Sequence, residues 1–201
     1  MQLSHVTWKG PAPDDGDILS KLPADLNELL KQINGFIQFH GGLHVRGASL
    51  SPGWHSLREA WLGPQAFHRL YAKVRQSDVP FAEDFLGNQF LLRNGKVVLL
   101  EGETGEIEPL KLTMKEFFAS VARDPVEALE LDILMEFQEE GGELRPGELL
   151  AVIPPLCSNE ASDGYSTSAV PAAERYTFLA ELAEFLKELP KGSSFSFAPE
   201  D

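Results

Sequence analysis

NQFLLRNGKVVLLEGETGEIEPL, residues 88–110, decides the fold. Two β-type runs flank Asn94-Gly95, the pair that best supplies the two positive φ angles of a type I′ hairpin turn. Strands over 88–93 and 96–101 are therefore expected to pair antiparallel. A second turn, GETG (Gly102–Gly105), returns the chain as EIEPLKL and makes a three-stranded meander. Pro109 has no amide proton, so this third strand is expected to lie at an edge or to end nearby.

The segments on either side carry helical signals. TMKEFFASVARDP offers Thr113 and Glu116 as a capping box, with Phe117, Phe118 and Val121 turned inward, and Asp124-Pro125 ends that helix and starts the next. Val126, Leu129, Ile133, Leu134 and Phe137 continue at helical spacing to Gly141-Gly142, which predicts one helix. PGELLAVIPPL reads as a buried strand and CSNEASDGYSTSAVP as a long polar loop. In the final helix Tyr176, Leu179, Leu182, Leu186 and Leu189 make the apolar stripe, and Pro190 and Gly192 end it before a frayed tail, SSFSFAPED.

Upstream, Leu22, Leu26, Leu29, Leu30 and Ile33 mark a helix over about 24–34, with Gly35 placed to end it and turn the chain into the strand-like FIQF. GGLHVRGASLSPG mixes a short strand with turns, WHSLREAW resembles a short helix, and Phe67, Leu70, Tyr71 and Val74 share one helical face. The expected fold is α+β: an antiparallel central meander sheet flanked by helices, in a single domain over 1–201.

Hydrophobic residues make up 43% and charged residues 24%, the balance of a folded chain. The single cysteine, Cys157, allows no intrachain disulfide and no cysteine-rich zinc site. MQLSHVTWKG lacks the charged start and apolar run of a secretory signal, and no apolar stretch approaches a bilayer span, so the expected address is cytoplasmic. The net charge is −14. Residues 1–100 carry 10 basic and 9 acidic side chains and residues 101–201 carry 7 and 22, so the whole excess lies in the second half. Such a field repels nucleic acid and anionic lipid and speeds encounter with basic partners.

The segment Val79–Leu110, with the EFF helix after it, resembles the SUKH superfamily. The matching residues are Asn34 and Gly35, then Phe81, Asp84, Gly87 and Phe90, then Glu103, Thr104 and Gly105, then Phe117, across a core of about residues 20–140. The strand–loop–helix extension over about 141–190 is similar to the carboxy-terminal part of immunity proteins that neutralise type VI secretion DNase effectors. Members of the superfamily include a yeast glucan-synthesis regulator and many bacterial immunity proteins of polymorphic toxin systems. The resemblance implies a non-catalytic protein that neutralises a toxin by tight binding; its alternative is a regulatory scaffold in signalling or cell-wall synthesis. In physical terms Gly35 and Gly105 suit positive φ, the phenylalanines suit a core, and Asp84 suits capture of backbone amides before the meander.

Other chemistry fits the sequence less well. His40 and His44 are four apart, but HGGLH contains two glycines and no Glu beside the first His, so a zinc helix is not expected; strand alternation instead puts one of them on a polar face. No GxSxG elbow occurs, nothing near Cys157 would lower its pKa, and the glycines of GETG stand in too acidic a setting to cradle phosphate. No cofactor or catalytic residue is expected. The candidate partner-binding residues are Glu101, Glu103, Glu106 and Glu108, with Glu136, Glu139, Glu140 and Glu143, and the expected partner is a basic toxin domain, a nuclease among the possibilities.

Overall fold

The computed structural model describes residues 4–190. Strands β1 (Val6–Lys9), β2 (Phe36–Gln38), β3 (Leu43–Val45), β4 (Val79–Asp84), β5 (Gln89–Arg93), β6 (Lys96–Leu100) and β7 (Ile107–Pro109) form one sheet in chain order, every neighbour antiparallel. Helices α1 (Gly16–Lys21), α2 (Ala24–Gln32), α3 (Leu57–Leu62) and α4 (Phe67–Leu70) precede the meander, and α5 (Met114–Arg123), α6 (Pro125–Leu129) and α7 (Asp132–Glu139) follow it. A second sheet pairs β8 (Glu148–Ile153) with β9 (Ser166–Pro171), and α8 (Ala172–Glu188) closes the described chain. The α+β class and the meander are as the sequence predicts.

The hairpin follows its turn chemistry: Asn94 and Gly95 take φ of 52° and 77°, and Arg93 faces Lys96 across the turn. Pro109 lies on β7, the outermost strand. Alternation sends Phe90, Leu92 and Val97 to one side of the sheet, where Leu26, Leu30, Phe117, Val121 and Leu134 of the helices meet them in the main core. Leu91, Val98 and Leu100 face the other side, under Phe67, Tyr71 and Ala183. Both faces are thus covered, which is why β4 is buried at every position. Leu150 and Val152 of β8 join the main core, so the carboxy-terminal extension is packed into the same body.

Thr113 and Glu116 form the full capping box of α5, each satisfying the other's backbone amide. Replacing Thr113 with Ala is expected to cost about 1 kcal/mol, read as a lower urea midpoint at unchanged slope.

Several expectations are corrected. The helix expected through 137 is two, because Glu130 adopts a left-handed conformation, φ 50° and ψ 51°, and re-aims the chain before α7. The helix from Phe67 stops after one turn, although Phe67, Tyr71 and Val74 are all buried as its spacing suggested. Helix α2 ends at Gln32; Ile33 is already extended, and Gly35, at φ 77°, serves the turn into β2 instead of capping the helix. The polar loop after Cys157 contains a short 3₁₀ turn, Asn159–Asp163, and then β9, whose alternation is hidden because little of it is buried. Gly192 and the tail lie outside the described residues. No described helix is long and apolar enough to cross a membrane.

Candidate functional site

The antiparallel register sets His44 opposite Glu83, and alternation puts Arg46 on the same side of the sheet, away from the main core. Glu83 is only 2% exposed and Arg46 only 1%. Arg46 Nη2 donates to Glu83 Oε2 at 2.7 Å, and the Tyr176 hydroxyl of α8 and Gln89 Nε2 donate to the same oxygen at 2.5 and 3.1 Å. His44 Nδ1 donates to Glu83 Oε1 at 2.7 Å, His44 Nε2 lies 2.9 Å from His55 Nδ1, and His55 Nε2 donates to the Asn34 carbonyl at 2.9 Å. Both ends of that chain are acceptors, so the two protons of two neutral imidazoles go to the ends. The contact between the rings is where an added proton makes a bond. The Arg46 guanidinium also stands 5.3 Å from the Phe67 ring centroid.

Burial pushes the Glu83 carboxyl up, but the Arg46 guanidinium, His44 and Tyr176 outweigh it and hold it down at about 2. Burial lowers His44 by more than Glu83 raises it, and burial with the neighbouring His44 and Arg46 brings His55 down to about 4. Asp84 receives the Leu86 and Asn88 amides at 2.9 and 3.0 Å and the Asn88 side chain at 2.8 Å, the amide capture its sequence position suggested. Burial nevertheless pushes its carboxyl up to about 7.

A cavity of about 120 Å³ opens over His44 and Glu83, walled by Trp8 and Trp54, whose rings lie 5.0 Å apart, with Glu143 and Arg145 also lining it. Ligand pockets run to about 300–1,000 Å³, so this one has room for a few waters and none for a nucleotide. Thr7 is the only hydroxyl- or thiol-bearing side chain among the described residues that line it. His44 Nδ1 and both Glu83 oxygens are already engaged within the protein, and His44 Nε2 faces His55 Nδ1. Cys157 is elsewhere, its thiol pushed up to about 12 by burial and the adjacent Glu103. The network's evident work is to tie α8 to the sheet.

His44 is buried in this network instead of lying on an exposed polar face, and His40 is exposed beside it. Among the described residues no three His, Cys, Asp or Glu side chains are grouped to hold a metal ion. The sequence gives no role to Arg46, Glu83 and Gln89, offers His55 only as one histidine of the amino-terminal set, and places Tyr176 on the apolar stripe of the final helix. The signal that marks them is polar side chains set in apolar strand text, LHVRG and VPFAED, where one covered face of a sheet must find them partners.

The eight candidate glutamates fall in two places. Glu101, Glu103, Glu106 and Glu108 belong to the β6–β7 turn and β7, at the far edge of the sheet. Glu136, Glu139, Glu140 and Glu143 lie on α7 and the turn after it, where Leu131 and Leu144 pack on Gly42 and Gly41 beside β3. Four strand spacings separate β3 from β7, about 19 Å along the sheet.

The first group is largely engaged within the protein. Glu103 accepts the Leu156 and Cys157 amides at 3.2 and 2.8 Å with Arg175 3.6 Å away, Glu106 pairs with Lys73, and Glu101 accepts from the Thr104 hydroxyl at 2.9 Å. Glu103, with its side chain 12% exposed, is a latch for the carboxy-terminal extension and is corrected out of any contact surface. Glu108 is exposed on β7.

The second group differs. Asp124, Glu127, Glu130, Asp132, Glu136, Glu139, Glu140 and Glu143 are all exposed, no basic residue lies between Arg123 and Arg145, and among the described residues none of the eight is in an ion pair. No family model, curated protein or solved structure matches the chain. The geometry of these two places, the buried polar network and the uncompensated acidic face, is what bears on function.

Proposed function

We propose that the chain is a non-catalytic binding protein of the immunity type, which neutralises a basic toxin domain in the cytoplasm by covering it. The observation that carries this reading is the run of eight exposed carboxylates from Asp124 to Glu143, which have no ion-pair partner among the described residues. Charge left uncompensated over several turns projects a field that steers a basic partner to one face and suppresses encounter with acidic ones. A nuclease must be basic along its substrate groove, so a row of carboxylates suits it as a substitute for phosphates. The resemblance of residues 20–140 to the SUKH superfamily, and of the carboxy-terminal extension to immunity proteins, supports the same reading.

The test is association with the toxin domain encoded beside this gene, compared for wild type and a variant with Glu136, Glu139, Glu140 and Glu143 changed to Lys. The variant is expected to associate about 10-fold or more slowly at low salt, the two rates converging as salt rises, and to lose protection of toxin-expressing cells. Its folding is expected to survive, because exposed charges change stability by only about 0.5 kcal/mol each. Unchanged association with full protection would place the interface elsewhere. Binding without protection would favour the regulatory scaffold.

A further inference from the structure

Within the acidic face, α7 turns Asp132, Met135, Glu136, Glu139 and Glu140 outward together, at spacings i, i+3, i+4, i+7 and i+8, while Leu134 faces the core. Met135 is 43% exposed in the middle of that carboxylate stripe. The end of the second sheet stands against it: the Tyr165 hydroxyl donates to Glu136 Oε2 at 2.6 Å, and the next residue, Ser166, pairs with Ile153. Tyr165 is 38% exposed, while Ile153, 42% exposed, turns to the side of β8 opposite the core residues Leu150 and Val152, beside Phe178 of α8. Met135 and Tyr165, two of the six large hydrophobics that are exposed among the described residues, therefore stand together at Glu136, ringed by carboxylates.

Interface centres are enriched in Met and aromatic residues and surrounded by a polar rim, and a few such anchors carry most of the binding energy. Charge decides the occupant. A second copy would set these carboxylates against their own kind, and anionic lipid or nucleic acid is repelled for the same reason. We propose that Met135 and Tyr165 form the apolar centre of a docking face for a basic protein, whose Lys or Arg side chains meet Glu136, Glu139 and Glu140 around an apolar side chain seated on Met135. This deepens the proposed function and rests on it. The Tyr165–Glu136 hydrogen bond holds anchor and rim in one arrangement before the partner arrives, so that less freedom is lost on binding.

The decisive variant is Met135→Glu, because it makes the face more acidic while removing its apolar centre. The probe is the strongest binder selected from a displayed library of 16-residue peptides against the full chain, measured in solution with wild type, Met135→Glu, Leu50→Glu and the pair Glu136→Lys with Glu139→Lys. Leu50, also exposed, lies outside this face.

The selected peptide is expected to be rich in Lys or Arg around an aromatic or aliphatic residue and to lose about 10-fold or more of its affinity with Met135→Glu. Leu50→Glu should leave its affinity unchanged, and melting temperatures should stay near wild type. Equal or tighter binding by Met135→Glu, with loss in the Glu-to-Lys pair, would leave an acidic binding surface without this centre and overturn the inference alone. A library that yields no binder sensitive to the Glu-to-Lys pair would overturn the proposed function as well.

Discussion

Replacing Glu83 with Ala is expected to lower stability by about 3–5 kcal/mol, the cost of leaving a buried charge without its partner. Glu83 is the one anion facing Arg46, and the other partners of that guanidinium are the Pro80 carbonyl, the Tyr176 hydroxyl and the Phe67 ring, none of which carries a compensating charge. The same deletion removes the acceptor for His44, Tyr176 and Gln89. A domain holds about 5–15 kcal/mol in all, so the variant gives up a large share of its stability. For a chain of this length the expected fall in melting temperature is roughly 6–20 °C. Changing Glu83 to Leu and Arg46 to Met together should recover the part of the loss that comes from the unpaired guanidinium, while His44, Tyr176 and Gln89 remain without their acceptor. A loss under about 1 kcal/mol for the single change, by calorimetry or urea titration, would show that the network is not what fastens α8.

What the sequence made legible is what short-range chemistry fixes. Asn94-Gly95 needs only its own φ angles to make the hairpin, and Thr113 with Glu116 needs only one helical turn to make the cap, so both are found where they were expected. Glu130 is different: its spacing fits a continuous helix, and only the tertiary placement of Leu129, Leu131 and Leu134 in the core requires the left-handed break between α6 and α7. Strand β9 was missed because it pairs only with β8 and leaves most of its side chains in water, so the apolar alternation that marks a half-buried strand is absent. The polar network was missed for a related reason. Alternation shows that His44, Arg46 and Glu83 share a side of the sheet, but whether that side is wet depends on α8, about 130 residues after Arg46 and joined to it through Tyr176.

The acidic face was legible as composition and illegible as a surface. Counting charges by halves located it roughly, yet the same count included Glu103, whose carboxylate is spent on two backbone amides and Arg175. Exposure and pairing, which sequence does not contain, separate a carboxylate available to a partner from one that holds the fold.

Acid sensitivity should come from buried groups that pull in opposite directions, and one substitution separates them. Burial lowers the pKa of His44 and brings His55 down to about 4, while in the unfolded chain each titrates near 6.5. Above about pH 6.5 both states hold neutral imidazoles and the pair is silent. As pH falls below that value the unfolded chain takes up protons that the folded protein resists, so stability is lost progressively toward pH 4. Asp84 acts in the opposite sense. Its folded pKa is pushed up to about 7 against about 3.9 unfolded, so between pH 7 and 4 the folded protein holds a proton that the unfolded chain has released, and stability is regained on acidification. The bond that an added proton makes between His44 and His55 eases uptake of the first proton only, so the histidine slope amounts to one to two protons, about 1.4–2.7 kcal/mol per pH unit, with Asp84 cancelling about 1.4. Asp84→Asn removes the cancelling member. Its loss of the Asn88 side-chain hydrogen bond is common to every pH, so the unfolding free energy from urea titrations between pH 7 and 4 should fall more steeply than wild type by about 1.4 kcal/mol per pH unit. Parallel pH profiles for the two proteins would mean that the three donated hydrogen bonds keep Asp84 ionised in the folded state throughout this range.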